Sequence, residues 1–336
     1  MASSAQGKIA NGDYMEVSMS KAAGVTPSAA GFWPRSAAFI VDCLVLAAIG
    51  VLAGLVLAEV FVRLGGYARL LGFVIALTYF GVTNSVLCGG QTLGKRLLGV
   101  RVVGKTGALL TLPQSLLRYS VLGIPFFLNG TQIDSSAATS PMGYVLSLLI
   151  FGGALSIIYL YVFNRQGRRS LHDLAAGSSV VMAQVPVAAV RPMPVRHVHL
   201  IVVCVLLIIA AILPVFTAQL AESDDYKDLL VAHKAVSAVP DVRSVMLVHN
   251  TLLGTPNGQS VVVQVNLSER RLEDATLAAH IAKVVLANDK KAAAMSAIHV
   301  TLLYGYDLGI ASSWNSRSYQ FTPKALGASS RVEAPR

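Results

Sequence analysis

An arginine and an aspartate seven residues apart, Arg35 and Asp42, stand where charge is costly. From Ser36 to Val62 the only charged residues are Asp42 and Glu59, in a stretch long enough as a helix to cross a hydrocarbon core of about 30 Å. A carboxylate at that depth must be paired, protonated or hydrated, so Asp42 is a candidate ion- or ligand-binding group. Seven residues is two helical turns, which puts both side chains on one face but about 10 Å apart along the axis, too far to pair. Arg35 is expected to extend to the cytoplasmic interface. Asp42 then needs another partner: Arg118, Thr83, Asn84, a cation or a proton. The plainer alternative is that Asp42 only locks helices together through a buried hydrogen bond.

Other constellations are weaker. His172-Asp173 follows an apolar run in a basic loop, where such a pair more often ties down the loop than catalyses. Gly89-x-x-x-x-Gly94-Lys95 approaches a phosphate-binding loop, but Arg96 replaces the hydroxyl residue that would hold magnesium, and the preceding run is helical where a strand is needed. The stretch reads instead as an interfacial turn with Lys95 and Arg96 at lipid headgroups, joined by Arg168 and Arg169 of a later basic loop. Gly50-x-x-x-Gly54 permits close helix approach. His249, His280 and His299 lack metal-ligand spacing and no cysteine joins them. Without a nucleophile motif either, the chain is expected to be no enzyme and to need no cofactor or metal.

These residues must be positioned by membrane helices. The 336-residue chain is 54% hydrophobic and only 13% charged, which excludes most soluble folds. Its net charge of +10 is lopsided: residues 1–217 carry 15 Lys and Arg against 6 Asp and Glu, and residues 218–336 carry 12 against 11. A basic excess beside apolar runs marks cytoplasmic loops and argues against nucleic acid. Apolar runs near 34–62, 70–88, 112–128, 142–163 and 198–218 predict about five spans, the third, short and with Pro125 near its end, being either a thin span or an amphipathic element in the interface. The basic stretches 89–107 and 165–169 set the N-terminus inside. The segment 1–30 is polar, without the apolar core of a signal peptide, and is expected to be a disordered cytoplasmic segment. Cys43, Cys88 and Cys204 read as small buried hydrophobes outside any disulfide framework. A proline-rich linker spans 183–197.

After the last run the composition changes. Residues 222–323 predict a folded extracytoplasmic module in the order α-β-β-α-β-β, with a Pro256-Asn257-Gly258 turn between strands Val242–His249 and Ser260–Asn266. The tail 324–336 is expected to be disordered. The predicted fold is thus an all-α transmembrane bundle carrying a C-terminal extracytoplasmic α+β domain.

Four ordered motifs carry a resemblance: Gly31-Phe32-Trp33-Pro34-Arg35, then Asp42, then Gly90-Gln91-Thr92-Leu93-Gly94-Lys95-Arg96-Leu97-Leu98-Gly99-Val100-Arg101-Val102-Val103, then Leu171-His172-Asp173-Leu174-Ala175-Ala176-Gly177. Over roughly Ala30 to Met182 the chain resembles the RDD family of membrane proteins, named for one arginine and two aspartates. The resemblance assigns those roles to Arg35, Asp42 and Asp173 and makes them the ion- or ligand-binding candidates, with Arg118, His172 and Asn84 as partners. The polar stretch Asn129 to Pro141 departs from the family pattern as an insertion. Transport, including sodium/proton exchange, is the activity proposed in the family. The resemblance therefore implies a multi-pass protein of a bacterial inner membrane that moves an ion or small solute. The rival is a non-transporting scaffold whose residues 222–323 bind an envelope protein; both readings are compatible with a homo-oligomer. Two aspartates meeting would need a proton or cation between them, which favours an ion-linked site if Asp42 and Asp173 are in contact.

Overall fold

A computed structural model describes residues 29–130, 140–184, 194–251 and 259–329. The N-terminal segment, most of the 129–141 insertion and of the 183–197 linker, the Pro256-Asn257-Gly258 turn and the last seven residues lie outside the described residues. Helix α1, Phe32–Leu64, has a break in helical backbone at Leu57 and leads through a 3₁₀ turn at Gly65–Tyr67 into α2, Ala68–Thr83. Among the described residues three helical stretches are long and apolar enough to cross a membrane: Phe32–Thr83, which contains that turn, Pro141–Phe163 and His197–Glu222.

By their contacts the residues fall into two units. The first takes residues up to Leu44, Leu77–Gly123 and Gly153–Leu207. In it α2 is followed by the one-turn helix α3, Leu93–Leu97, strand β1, Val100–Gly104, and helix α4, Leu112–Leu128, whose first twelve residues belong here. Helix α5, Pro141–Ser147, and the π-helical turn at Leu148–Gly152 belong to the second unit, and the chain re-enters the first at α6, Gly153–Phe163. Then come α7, Leu171–Ala175, and strand β2, Ser178–Met182.

The region is therefore not all helical as predicted. β1 and β2 pair antiparallel, Val100 opposite Met182 and Val102 opposite Val180. Each strand has five residues and its partner is some eighty residues away, so neither shows in a local pattern. Val100, Val102 and Val180 close a small core with Ala30, Ala38 and Leu110. The cysteine reading is also corrected: Cys43 is exposed on α1 and Cys88 half-exposed. Side chains on the outer surface of a spanning helix are covered by lipid, not by protein.

The second unit takes Val45–Ala76, Ile124–Gly152 and the chain from Ile208. Helix α8, His197–Glu222, precedes a four-stranded sheet with α9, Asp224–Ser237, and α10, Ala275–Asn288. The strands are β3, Val242–Thr251, β4, Gln259–Leu267, β5, Ala297–Asp307, and β6, Ser312–Phe321, in spatial order β3-β4-β5-β6. Only β4 and β5 are parallel, and α10 supplies the crossover that parallel neighbours require. Alternate residues of the strands, Val245 and Leu247, Val261, Val263 and Val265, Ile298, Val300 and Leu302, bury against Val236 and Ile281 of the helices. A short helix α11, Pro323–Ser329, follows. The tail predicted to be unstructured from Lys324 thus begins helical, because Leu326 packs into this core.

The loop after β5 meets the helical hairpin. A Cβ at Gly54 would overlap the Tyr306 hydroxyl, and one at Gly72 the Leu308 carbonyl, while Ala311 sits over Gly50. Gly50 and Gly54 admit a β-hairpin tip where the sequence suggested a helix. Phe61, Val62 and Ala68 close over Tyr306 and Leu308. Tyr304 donates to Glu59 at 3.0 Å, Arg69 faces Asp307 at 3.7 Å, and Arg243 donates to the Val62 carbonyl.

Candidate functional site

The candidate residues gather in the first unit, but not as one cluster. Asp42, fully buried, accepts from the Thr92 hydroxyl at 2.6 Å, the Tyr79 hydroxyl at 2.8 Å and the Gly94 amide at 2.9 Å. Thr92 is the N-cap of α3, accepting from the Lys95 amide at 3.2 Å. A Cβ at Gly94 would overlap the Ala38 carbonyl, so glycine lets this turn lie directly on α1. Asp42 thus fastens the 90–96 turn to the helix, with all its donors neutral. Neither Arg118 nor Asn84 reaches it, and Tyr79, its actual partner on α2, carried no signal beyond being a hydroxyl inside an apolar run.

Asp173 sits apart from Asp42, with a separate set of partners. Arg118 places Nη2 at 2.8 Å and Nε at 3.0 Å on its Oδ1, and Arg35 places Nη2 at 3.0 Å on its Oδ2. The Ser178 hydroxyl donates to Oδ1 at 3.0 Å and the Ser170 amide to Oδ2 at 3.3 Å. The Asp173 carboxylate and Ser170 make a reciprocal capping box at the start of α7. Burial would raise the Asp173 carboxyl, but Arg118, His172 and Arg35 outweigh it and hold it well below the usual carboxylate range.

Arg35 therefore does not extend to the interface. It is 8% exposed, donates also to the Arg168 carbonyl and lies over the Tyr161 ring at 5.1 Å. The ground for a shared cation is absent as well, since each aspartate is satisfied by its own donors. Of the expected headgroup contacts, Arg96 is exposed and donates to the Cys88 carbonyl at 3.2 Å. Arg169 turns inward instead, donating to the Ser178 carbonyl at 3.0 Å. Lys95 also turns inward, to Asn84 Oδ1 at 2.7 Å and over the Phe80 ring at 5.8 Å.

A cavity of about 300 Å³ opens beside these groups. Arg35, Lys95, Arg118 and His172 contribute its charged and titratable lining, and Phe39, Ile40, Phe80, Leu122, Ile157 and Ile158 much of its apolar wall. Among the described residues no carboxylate pairs with Lys95. Burial, with help from the Arg118 and Arg35 charges, pulls its ammonium down to about 7 although Asp42 and Asp173 pull the other way. His172 is 5% exposed and is pulled down to about 3 by burial, against Asp173 and with Arg118, Arg35 and Lys95. It is a neutral imidazole. Its Nε2 faces Asp173 Oδ2 at 3.6 Å, beyond hydrogen-bond distance but near enough that the carboxylate favours the proton on that nitrogen, and Nδ1 has no hydrogen-bond partner among the described residues. Two guanidiniums and an ammonium thus line this cavity, while the carboxylates that act on them, Asp173 and Asp42, do not line it. Chemically, that arrangement receives negative charge.

No curated protein and no solved structure matches the chain. Residues 29–177, with Arg35, Asp42 and Asp173 all inside, match the RDD family.

Proposed function

We propose that this membrane protein binds an anion in the cavity lined by Arg35, Lys95, Arg118 and His172, as the solute site of a transporter. The observation that carries the reading is Lys95: a half-buried ammonium whose hydrogen-bonding partner is a neutral amide is an incomplete ion pair. Asp42 and Asp173 serve here as fasteners, of the 90–96 turn and of the two arginines, and the solute is negative rather than a cation. About five spans in a bacterial inner membrane, with the N-terminus cytoplasmic and residues 222–323 outside, agree with the basic loops at 89–107 and 165–169. The test is binding of inorganic phosphate to the purified full chain at pH 7, followed by flux into vesicles. Lys95→Met should remove both, and retention of both would sink the reading.

A second reading is favoured by one further observation. Tyr306, Leu308 and Ala311 seat on glycines of the α1–α2 hairpin, which holds the 222–323 domain in a fixed pose, as a scaffold presenting a binding surface to an envelope protein requires. Crosslinking the full chain in membranes should then trap a partner through that domain.

A further inference from the structure

We infer that the occupant of the cavity is an amphiphile, with a headgroup that carries both an anionic oxygen and an O–H, and an acyl chain lying along Phe39, Ile40 and Ile158. The inference rests on the anion reading above and narrows it to a substrate class.

The route in points to lipid. Ile40 on α1 and Ile158 on α6 line the cavity while each is 59% exposed, and both helices belong to stretches able to span a membrane. The outer faces of such helices meet hydrocarbon, so an opening between them faces acyl chains rather than water. A small hydrated ion must shed its water to enter there, which weakens its binding. An amphiphile leaves its chain in the hydrocarbon and delivers only its head.

The head is specified by two groups. Lys95 spends one hydrogen bond on Asn84 and has two further N–H donors for anionic oxygens. His172 Nδ1, buried and unpartnered, accepts. A phosphomonoester monoanion supplies both P–O⁻ and P–OH, whereas a zwitterionic choline headgroup is a phosphodiester with no P–OH and brings a cation toward Arg35 and Arg118. The volume of about 300 Å³ lies at the small end of ligand pockets, enough for a headgroup and the start of one chain.

The experiment is calorimetric titration of the purified full chain in neutral detergent with three probes: inorganic phosphate, a single-chain lysophosphatidic acid, and the lysophosphatidylcholine of equal chain length. The expected result is at least tenfold tighter binding of lysophosphatidic acid than of either other probe. Lys95→Met and the mouth-filling Ile158→Trp should each lose tenfold or more of it, and Lys290→Met, on the surface of the C-terminal domain, none. Phosphate binding as tightly as the lysophosphatidic acid would overturn the amphiphile class and leave the anion reading standing. Absence of binding by any probe, or equal binding of both lipids indifferent to Lys95→Met, would overturn both.

Discussion

Arg118 sets two of its nitrogens, Nη2 and Nε, on the same oxygen of Asp173, at 2.8 and 3.0 Å. Arg35 takes the other oxygen, so one carboxylate on the short helix α7 ties together two helices that are 83 positions apart at those arginines. Both guanidinium groups and the carboxylate are nearly inaccessible. Removing the shared partner leaves two buried cations, and breaking a buried pair costs about 3–5 kcal/mol. Asp173→Asn should therefore fail to fold or lose most of its stability in detergent. Thermal unfolding within a degree or two of the native protein would show that the triad carries little.

The pH dependence of that triad has a defined sign. The folded carboxyl titrates below its unfolded value, so its contribution is complete above the ordinary aspartate range and is lost only as pH falls below about 4. Between pH 5 and 8 unfolding of the native protein should show no slope from Asp173, whose contribution should appear only in the acid limb below about pH 4. Denaturant titrations at pH 3, 5 and 7 measure it.

Asp42 is expected to behave as a fastener and not as a transport group. Each of its hydrogen bonds involves a charged acceptor, worth about 1.5–3 kcal/mol. Tyr79→Phe and Asp42→Asn should each lower stability by about that amount while phosphate binding at Lys95 persists. Loss of binding in a well-folded Asp42→Asn protein would return Asp42 to the site.

Lys95 makes binding depend on pH in the opposite direction. The folded ammonium titrates near 7 against 10.5 for a freely solvated lysine, so the unbound protein sheds its proton above pH 7 and an anion must draw one back. Affinity should fall up to tenfold per unit from pH 7 to 9 with proton uptake on binding, and Lys95→Arg, charged throughout, should remove the lysine's share of the slope and leave that of the ligand's own second ionisation. In the absence of ligand, the unfolded chain holds the extra proton between about 7 and 10.5, so stability rises with pH across that window. Calorimetry in buffers of different ionisation enthalpy reads the uptake directly.

The docked hairpin tip depends on glycine. A side chain at Gly72 meets the Leu308 backbone and cannot be relieved by a rotamer, so Gly72→Ala should cost about 1–3 kcal/mol as overpacking does. Asp307→Asn removes only a partly exposed pair at 3.7 Å and should cost under about 1 kcal/mol. Hydrogen exchange in 304–311 should rise sharply in the first variant and little in the second.

Composition and the order of apolar runs sufficed for the membrane class. Period-2 patterns sufficed for the strands of the C-terminal sheet, whose partners are mostly near neighbours. The costly residues were legible for the same reason: Arg35 and Asp42 stand out against an apolar background, and two helical turns keep them from pairing. What they pair with was not legible. Arg35 meets Asp173 across 138 positions, Thr92 meets Asp42 across 50, and β1 meets β2 across nearly 80. No periodicity encodes such distances; they follow from how the helices and loops pack. Lys95 illustrates the limit. By residue type it belongs at the headgroups, and only the packing of α3 on α1 turns its ammonium inward, where it lacks a carboxylate and leaves a place for an anion.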